Sequence, residues 1–176
     1  MNFYTGVGSR QTPDDILDHM FKVAYLLAKN SWVLRSGAAD GADTAFEDGC
    51  DRAEGPKAIY LPWGGFNGRF EHEEPFLHVG NKLETYQQAV SIASKFHPYW
   101  GGLSSGAKNL HTRNVFQVLG HRLDSPSKFL LCWTPGGKQQ GGTAQAIRIA
   151  EHHNVPVINM FHKDWLAEVN TIISKE

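Results

Sequence analysis

Two cysteines in 176 residues, Cys50 and Cys132, are too few and too far apart for a disulfide framework, and Cys132 sits inside an apolar run. That usage fits a reducing compartment. Excess charge is missing as well: 17 Lys and Arg against 18 Asp and Glu leave a formal net charge of -1. No global field draws in polyanions, so any phosphate affinity must come from local groups, which argues against a dedicated duplex-DNA binder. The start Met1-Asn2-Phe3-Tyr4 lacks the basic segment and apolar stretch of a secretory signal, and no run approaches membrane-spanning length. The expected location is the cytoplasm, with no membrane partner. The nine histidines make no zinc-like pairing with cysteine, so no metal site and no cofactor are expected. Also absent are the Gly-Lys-Ser/Thr ending of a P-loop, the Gly-x-Gly-x-x-Gly dinucleotide spacing, and a nucleophile elbow around Ser9 or Ser36. With no repeat, low-complexity tract or linker, residues 1–176 read as one domain.

What is present is a repeated strand-loop-helix grammar. Phe3-Tyr4-Thr5-Gly6-Val7 reads as a strand that breaks at Gly8-Ser9-Arg10, and Pro13-Asp14-Asp15 opens a helix with Thr12 as its N-cap. Ile16, Met20, Val23, Ala24 and Leu27 recur at helical spacing, and 31–34 follows as a strand. A small-residue loop, Arg35 to Asp43, feeds a helix to about Arg52, and 57–61 is the third strand. Residues 62–80 lack a period and read as a long loop, followed by helices over 83–95 and 109–119. The strand 129–133, the Gly-rich loop 134–143, a helix over 144–153, a strand over 155–159 and a helix over 163–174 complete the chain. Strands alternating with helices predict an α/β fold, a doubly wound parallel sheet with helices on both faces.

In such a sheet ligands bind beyond the carboxyl ends of the strands, where Gly8-Ser9-Arg10, Gly37 to Gly41 and Gly136 to Thr143 converge. Glycine lets the backbone approach a phosphate, and the following helix N-terminus offers N–H donors; equally, glycines shape tight strand-to-helix turns. Arg10, Arg35 and Arg113 stand at loop or helix boundaries where a guanidinium can hold phosphate in bidentate geometry or serve as a surface salt-bridge partner. Asp40 and Asp43 are placed to accept from a ribose hydroxyl or to act in acid/base chemistry, and Asp40 equally to cap a helix. Thr143 has the same two readings. Among the aromatics, Trp63 and Trp100 lie in irregular glycine-containing segments suited to stacking on a base.

The motifs Gly6-Val7-Gly8-Ser9-Arg10, Leu34 to Asp43, Leu110-His111-Thr112-Arg113-Asn114, and Pro135-Gly136-Gly137 with Gly141-Gly142-Thr143 span most of the chain. Together they resemble the Rossmann-like superfamily called SLOG, which joins DNA-processing protein A with the LOG phosphoribohydrolases. Leu61-Pro62-Trp63 and His97-Pro98 look most like a compact branch common in bacteriophages. The resemblance implies a three-layer Rossmann-like fold, a homo-oligomer, and one of three activities. The LOG branch cleaves nucleoside monophosphates at the N-glycosidic bond, yet the glutamate that branch carries just after its Gly-Thr is missing here, where Ala144-Gln145-Ala146 follow Thr143. Asp40, Asp43 or Glu47 would have to supply the carboxylate. The DNA-processing branch implies single-stranded DNA binding, which the net charge disfavours. A third branch senses nucleotide signals and needs only a pocket.

The expectation is therefore a module that binds a nucleotide or nucleotide-derived small molecule. Gly8, Ser9, Arg10, Arg35, Ser36, Gly37, Gly141, Gly142 and Thr143 would hold phosphate, Arg113 and Asn114 would assist, and Asp40 or Asp43 would read a sugar hydroxyl. Arg35→Ala is then expected to weaken binding by about 1.5–3 kcal/mol without unfolding the protein.

Overall fold

The alternating grammar resolves into a parallel sheet whose strand order shows where the chain reverses direction. The computed structural model describes residues 1–70, 76–79 and 84–176. Strands β1 (Asn2–Gly6), β2 (Trp32–Ser36), β3 (Lys57–Leu61), β4 (Phe76–His78), β5 (Leu130–Cys132) and β6 (Val157–Asn159) form one sheet in the order β4-β3-β2-β1-β5-β6. Every neighbouring pair is parallel, with Thr5 opposite both Arg35 and Leu130 in the register. The sheet grows outward from β1 to β4 and then returns to the other side of β1, so the fold is Rossmann-like with its switch point between β1 and β5.

Among the described residues six α-helices cover the two faces, as pleat alternation demands. Helices α1 (Asp14–Lys29), α2 (Ala42–Arg52) and α6 (Trp165–Ile173) close one core over Tyr4, Leu34, Phe46, Ile59, Leu61, Phe129 and Leu131. Helices α3 (Tyr86–Phe96), α4 (Ser105–Leu119) and α5 (Gly141–His152) close the other over Tyr60, Leu130 and Cys132, with Val115, Phe116 and Leu119 of α4 buried against them. No helix among the described residues is long and apolar enough to cross a membrane.

Several expected boundaries move. The three-residue strand β4 falls inside the stretch read as a loop over 62–80, of which 71–75 and 80 lie outside the described residues. Its hydrogen bonds go to β3, outside the segment itself, and a three-residue edge strand carries too little period to announce itself. The expected start of α3 at residue 83 also lies outside the described residues. Helix α4 begins four residues before the expected start at 109, because the Ser104 hydroxyl caps it by accepting from Ala107 N at 3.2 Å. Thr12 is not the cap of α1: the N-cap position is Pro13, and the Thr12 hydroxyl instead donates to Ser9 O within the β1–α1 turn.

Candidate functional site

Beyond the paired ends of β1 and β5 the chain leaves for opposite faces of the sheet, and the crevice between the two turns holds a cavity of about 570 Å³. The turn after β1 is tied to β5 by Ser9 N donating to Trp133 O at 3.1 Å, which brings Gly8-Ser9-Arg10 beside the β5–α5 connection. Gly8 fits only as glycine, because a Cβ there would stand 2.6 Å from the Ala42 Cβ at the start of α2. On the opposite wall Gly141 has φ +70°, a conformation that favours glycine, and starts α5 with no side-chain cap. The first-turn amides of Gly141, Gly142 and Thr143 therefore border the cavity with the positive end of the helix. Helix α4 forms the back wall: Asn114 Nδ2 donates to Gly142 O at 3.2 Å and locks α4 against the α5 terminus.

Burial sets the electrostatics of the inner part. Asp43, on the first turn of α2, is 4% exposed and accepts from Ala39 N at 3.3 Å. Burial pushes its carboxyl up to about 6, against the opposing pull of the Arg113 guanidinium. Arg113 is held below its ordinary value by burial, while Asp43 restores part of that loss and Arg10 adds to it. Its Nη1 donates to Gly37 O and, at 3.4 Å, to Tyr60 O; its Nε donates to Asn114 Oδ1 at 3.2 Å; and its Cζ lies 5.6 Å from the Phe66 ring centre. His111 is pushed down to about 4, first by burial and then by His97, Arg148 and Arg113, so it is neutral at neutral pH. Further in, Gln117 is 1% exposed, and both polar atoms of its side chain lack a hydrogen-bond partner among the described residues. The cavity thus combines an uncapped helix terminus, two arginines, one carboxyl poised near neutrality and an unengaged amide. That set suits a ligand with an anionic end and a neutral polar end.

The fold has a counterpart among solved structures. The fold is similar to that of a Moco carrier protein. The likeness is to the structure of the Chlamydomonas rheinhardtii Moco carrier protein, at TM-score 0.51 and 14% identity over 90% of this chain and 74% of that one. DNA processing protein A from Helicobacter pylori, described for its single-stranded DNA binding mode, aligns at TM-score 0.46 and 14% identity over 99% of this chain and 81% of that one. No family model and no curated protein matches the sequence. At such identity the first likeness is one of fold.

Gly8, Ser9, Arg10, Asp43, Arg113, Asn114, Gly141, Gly142 and Thr143 are brought together around the cavity. Arg35 is not among them: it is 3% exposed, its Nη1 donates to Ser125 O at 2.6 Å and to Ser127 Oγ at 3.3 Å, and its guanidinium lies 3.9 Å over the Phe3 ring. It pins the α4–β5 connection to the sheet, because as a strand residue it points to a face rather than along the strand toward the crevice. Ser36 is also outside the cavity lining, its hydroxyl donating to Gly6 O at 2.7 Å. Gly37 enters indirectly, through the carbonyl that receives Arg113. Asp40 is exposed and outside the lining. Glu47 is engaged by Lys57 and Arg69, each at 3.0 Å, and is likewise outside.

The two tryptophans also lie off the cavity. Trp63 packs edge-on to Phe66 at 5.2 Å, and half-buried Trp100 joins the second core with Lys108 5.8 Å over its ring. Phe66, by contrast, is buried and stands in the cavity lining. Gln145, near the position of the missing glutamate, is a brace: its Nε2 donates to Ala93 O at 2.9 Å, and its Oε1 receives Arg148 at 3.0 Å. Gln117 escaped sequence reasoning, though it follows Arg113 by four residues and Asn114 by three, and so shares their face of a helix.

Proposed function

We propose that the cavity binds a phosphorylated nucleotide or nucleotide-derived small molecule. Its phosphate sits between Gly8-Ser9-Arg10 and the Gly141-Gly142-Thr143 terminus of α5, and Arg113 adds positive potential from the back wall. The observation that carries this reading is the convergence of an uncapped twelve-residue helix with two arginines on one crevice at the switch point. Calorimetry with nucleoside mono-, di- and triphosphates, and with the parent nucleosides, tests it. Phosphorylated forms should bind at least about tenfold more tightly, the gain expected of one or two charge-assisted hydrogen bonds. Equal affinity for nucleoside and nucleotide, or no binding by any phosphorylated form, would overturn it.

A second reading is favoured by one observation: Asp43 is a carboxyl inside the cavity with its proton affinity raised toward neutrality. It could stabilise positive charge developing on a sugar during N-glycosidic hydrolysis. Chromatographic detection of free base, abolished by Asp43→Asn, would support hydrolysis. Nucleotide recovered intact after prolonged incubation leaves binding alone.

A further inference from the structure

Side chains along α4 become more deeply buried as the helix descends into the cavity, from half-buried Leu110 and His111 through Arg113 and Asn114 to Gln117 at 1% exposure. The Gln117 main chain is fixed by Thr5, whose hydroxyl donates to Gln117 O at 2.7 Å. Gln117 belongs to the cavity lining, and its Oε1 and Nε2, both shielded, are unpaired among the described residues. Room for that amide depends on Gly37, since a Cβ there would collide with Gln117 Nε2. A buried amide with neither atom satisfied is a standing cost to the fold, the kind retained where a bound group supplies the missing partners.

We propose that Gln117 reads the inner end of the ligand, and that this end presents an adjacent hydrogen-bond acceptor and donor, as the edge of a nucleobase or similar heterocycle does. Turned from its shielded position against Gly37 toward the cavity, the amide offers the complementary pair, Nε2–H to the acceptor and Oε1 to the donor. Phosphate stays at the rim, where Arg10, Gly141 and Gly142 are exposed. Deeper in, Arg113 is already engaged by Gly37 O and Asn114 Oδ1, and Asp43 stands beside it, so an anion there would meet a carboxylate. A neutral edge meets no such repulsion. The ligand enters with its heterocycle first and its charge last.

This rests on the phosphate-pocket reading, and the test separates the two. Calorimetry is run on the wild type, Gln117→Met and Gln117→Leu with the 5′-monophosphates of adenosine, guanosine, cytidine and uridine, and with ribose 5-phosphate, which lacks a base. For the nucleotide that binds wild type best, both variants should lose roughly tenfold or more in affinity, the size of a bidentate base contact. Their affinity for ribose 5-phosphate should change less than about twofold, and their melting temperatures without ligand should equal or exceed wild type, because two unsatisfied atoms are gone. Unchanged nucleotide affinity, an equal loss for ribose 5-phosphate, or a lowered melting temperature in both variants overturns the role of Gln117 alone. Failure of wild type to bind any of the five compounds overturns the pocket reading and this inference with it.

Discussion

Replacing Asp43 by Asn should make the ligand-free protein more stable at neutral pH, although it removes a charge beside Arg113. The carboxyl titrates at about 6 in the fold, against an ordinary 3.8. A raised value means that the fold prefers the protonated form. The stability this group contributes is fully present below its unfolded pKa and is lost as pH rises through about 6. At roughly 1.4 kcal/mol for each pH unit of that gap, the loss comes to about 3 kcal/mol. Asn imitates the protonated carboxyl, and the opposing attraction of Arg113 is already contained in the value of about 6. Urea unfolding at intervals between about pH 4 and pH 7.5 reads the effect directly. The two proteins should be nearly equally stable at the acid end. The variant should then pull ahead progressively, by up to about 3 kcal/mol, and the difference should level off above about pH 6.5. Stability curves that run parallel across that range would refute the reasoning, showing that the Asp43 carboxylate is compensated in the fold.

Three further outcomes follow from the geometry. Arg35→Ala should destabilise by about 2–4 kcal/mol in urea unfolding, since it strands the Ser125–Ser127 segment and the face of Phe3, while ligand affinity of the folded variant stays within about twofold in calorimetry. Arg10→Ala, at an exposed rim position, should leave the melting temperature within about 2 °C and weaken phosphorylated ligands about fivefold, with a shallower salt dependence of binding. Glu47→Gln should cost about 2 kcal/mol by urea unfolding, because Lys57 and Arg69 lose a shared buried partner, and it should leave any base release unchanged.

The layered parallel fold was legible because local signals agreed: apolar runs ending at glycine and amphipathic helices such as α1 repeat in order. Features decided by partners outside the local segment were not. β4 exists through its pairing with β3, and Trp63 and Trp100 stand in short connections outside the cavity lining. Within the candidate site, turn residues such as Ser9 and Gly142 could be placed because a strand end and a helix start fix where a turn lies. The glycine at position 37 reads as the end of a loop that begins at Arg35, whereas the strand runs on through Ser36 and sets Arg35 outside the cavity lining. Gln117 carried a readable signal, its spacing from Arg113 and Asn114, but an amide in a helix of mixed polarity gives no hint that it is left unpaired.

Helix α4 has one side on the cavity and the other in the second core, where Val115, Phe116 and Leu119 are fully buried. A ligand in that cavity would touch an element that also carries the core, and by binding only the folded state it would stabilise it. A ligand present at about a hundred times its dissociation constant would add about 2.7 kcal/mol to the free energy of unfolding the whole molecule. Thermal shift is thus a direct screen for a ligand of this cavity, and binding of one would raise the folded fraction with its concentration.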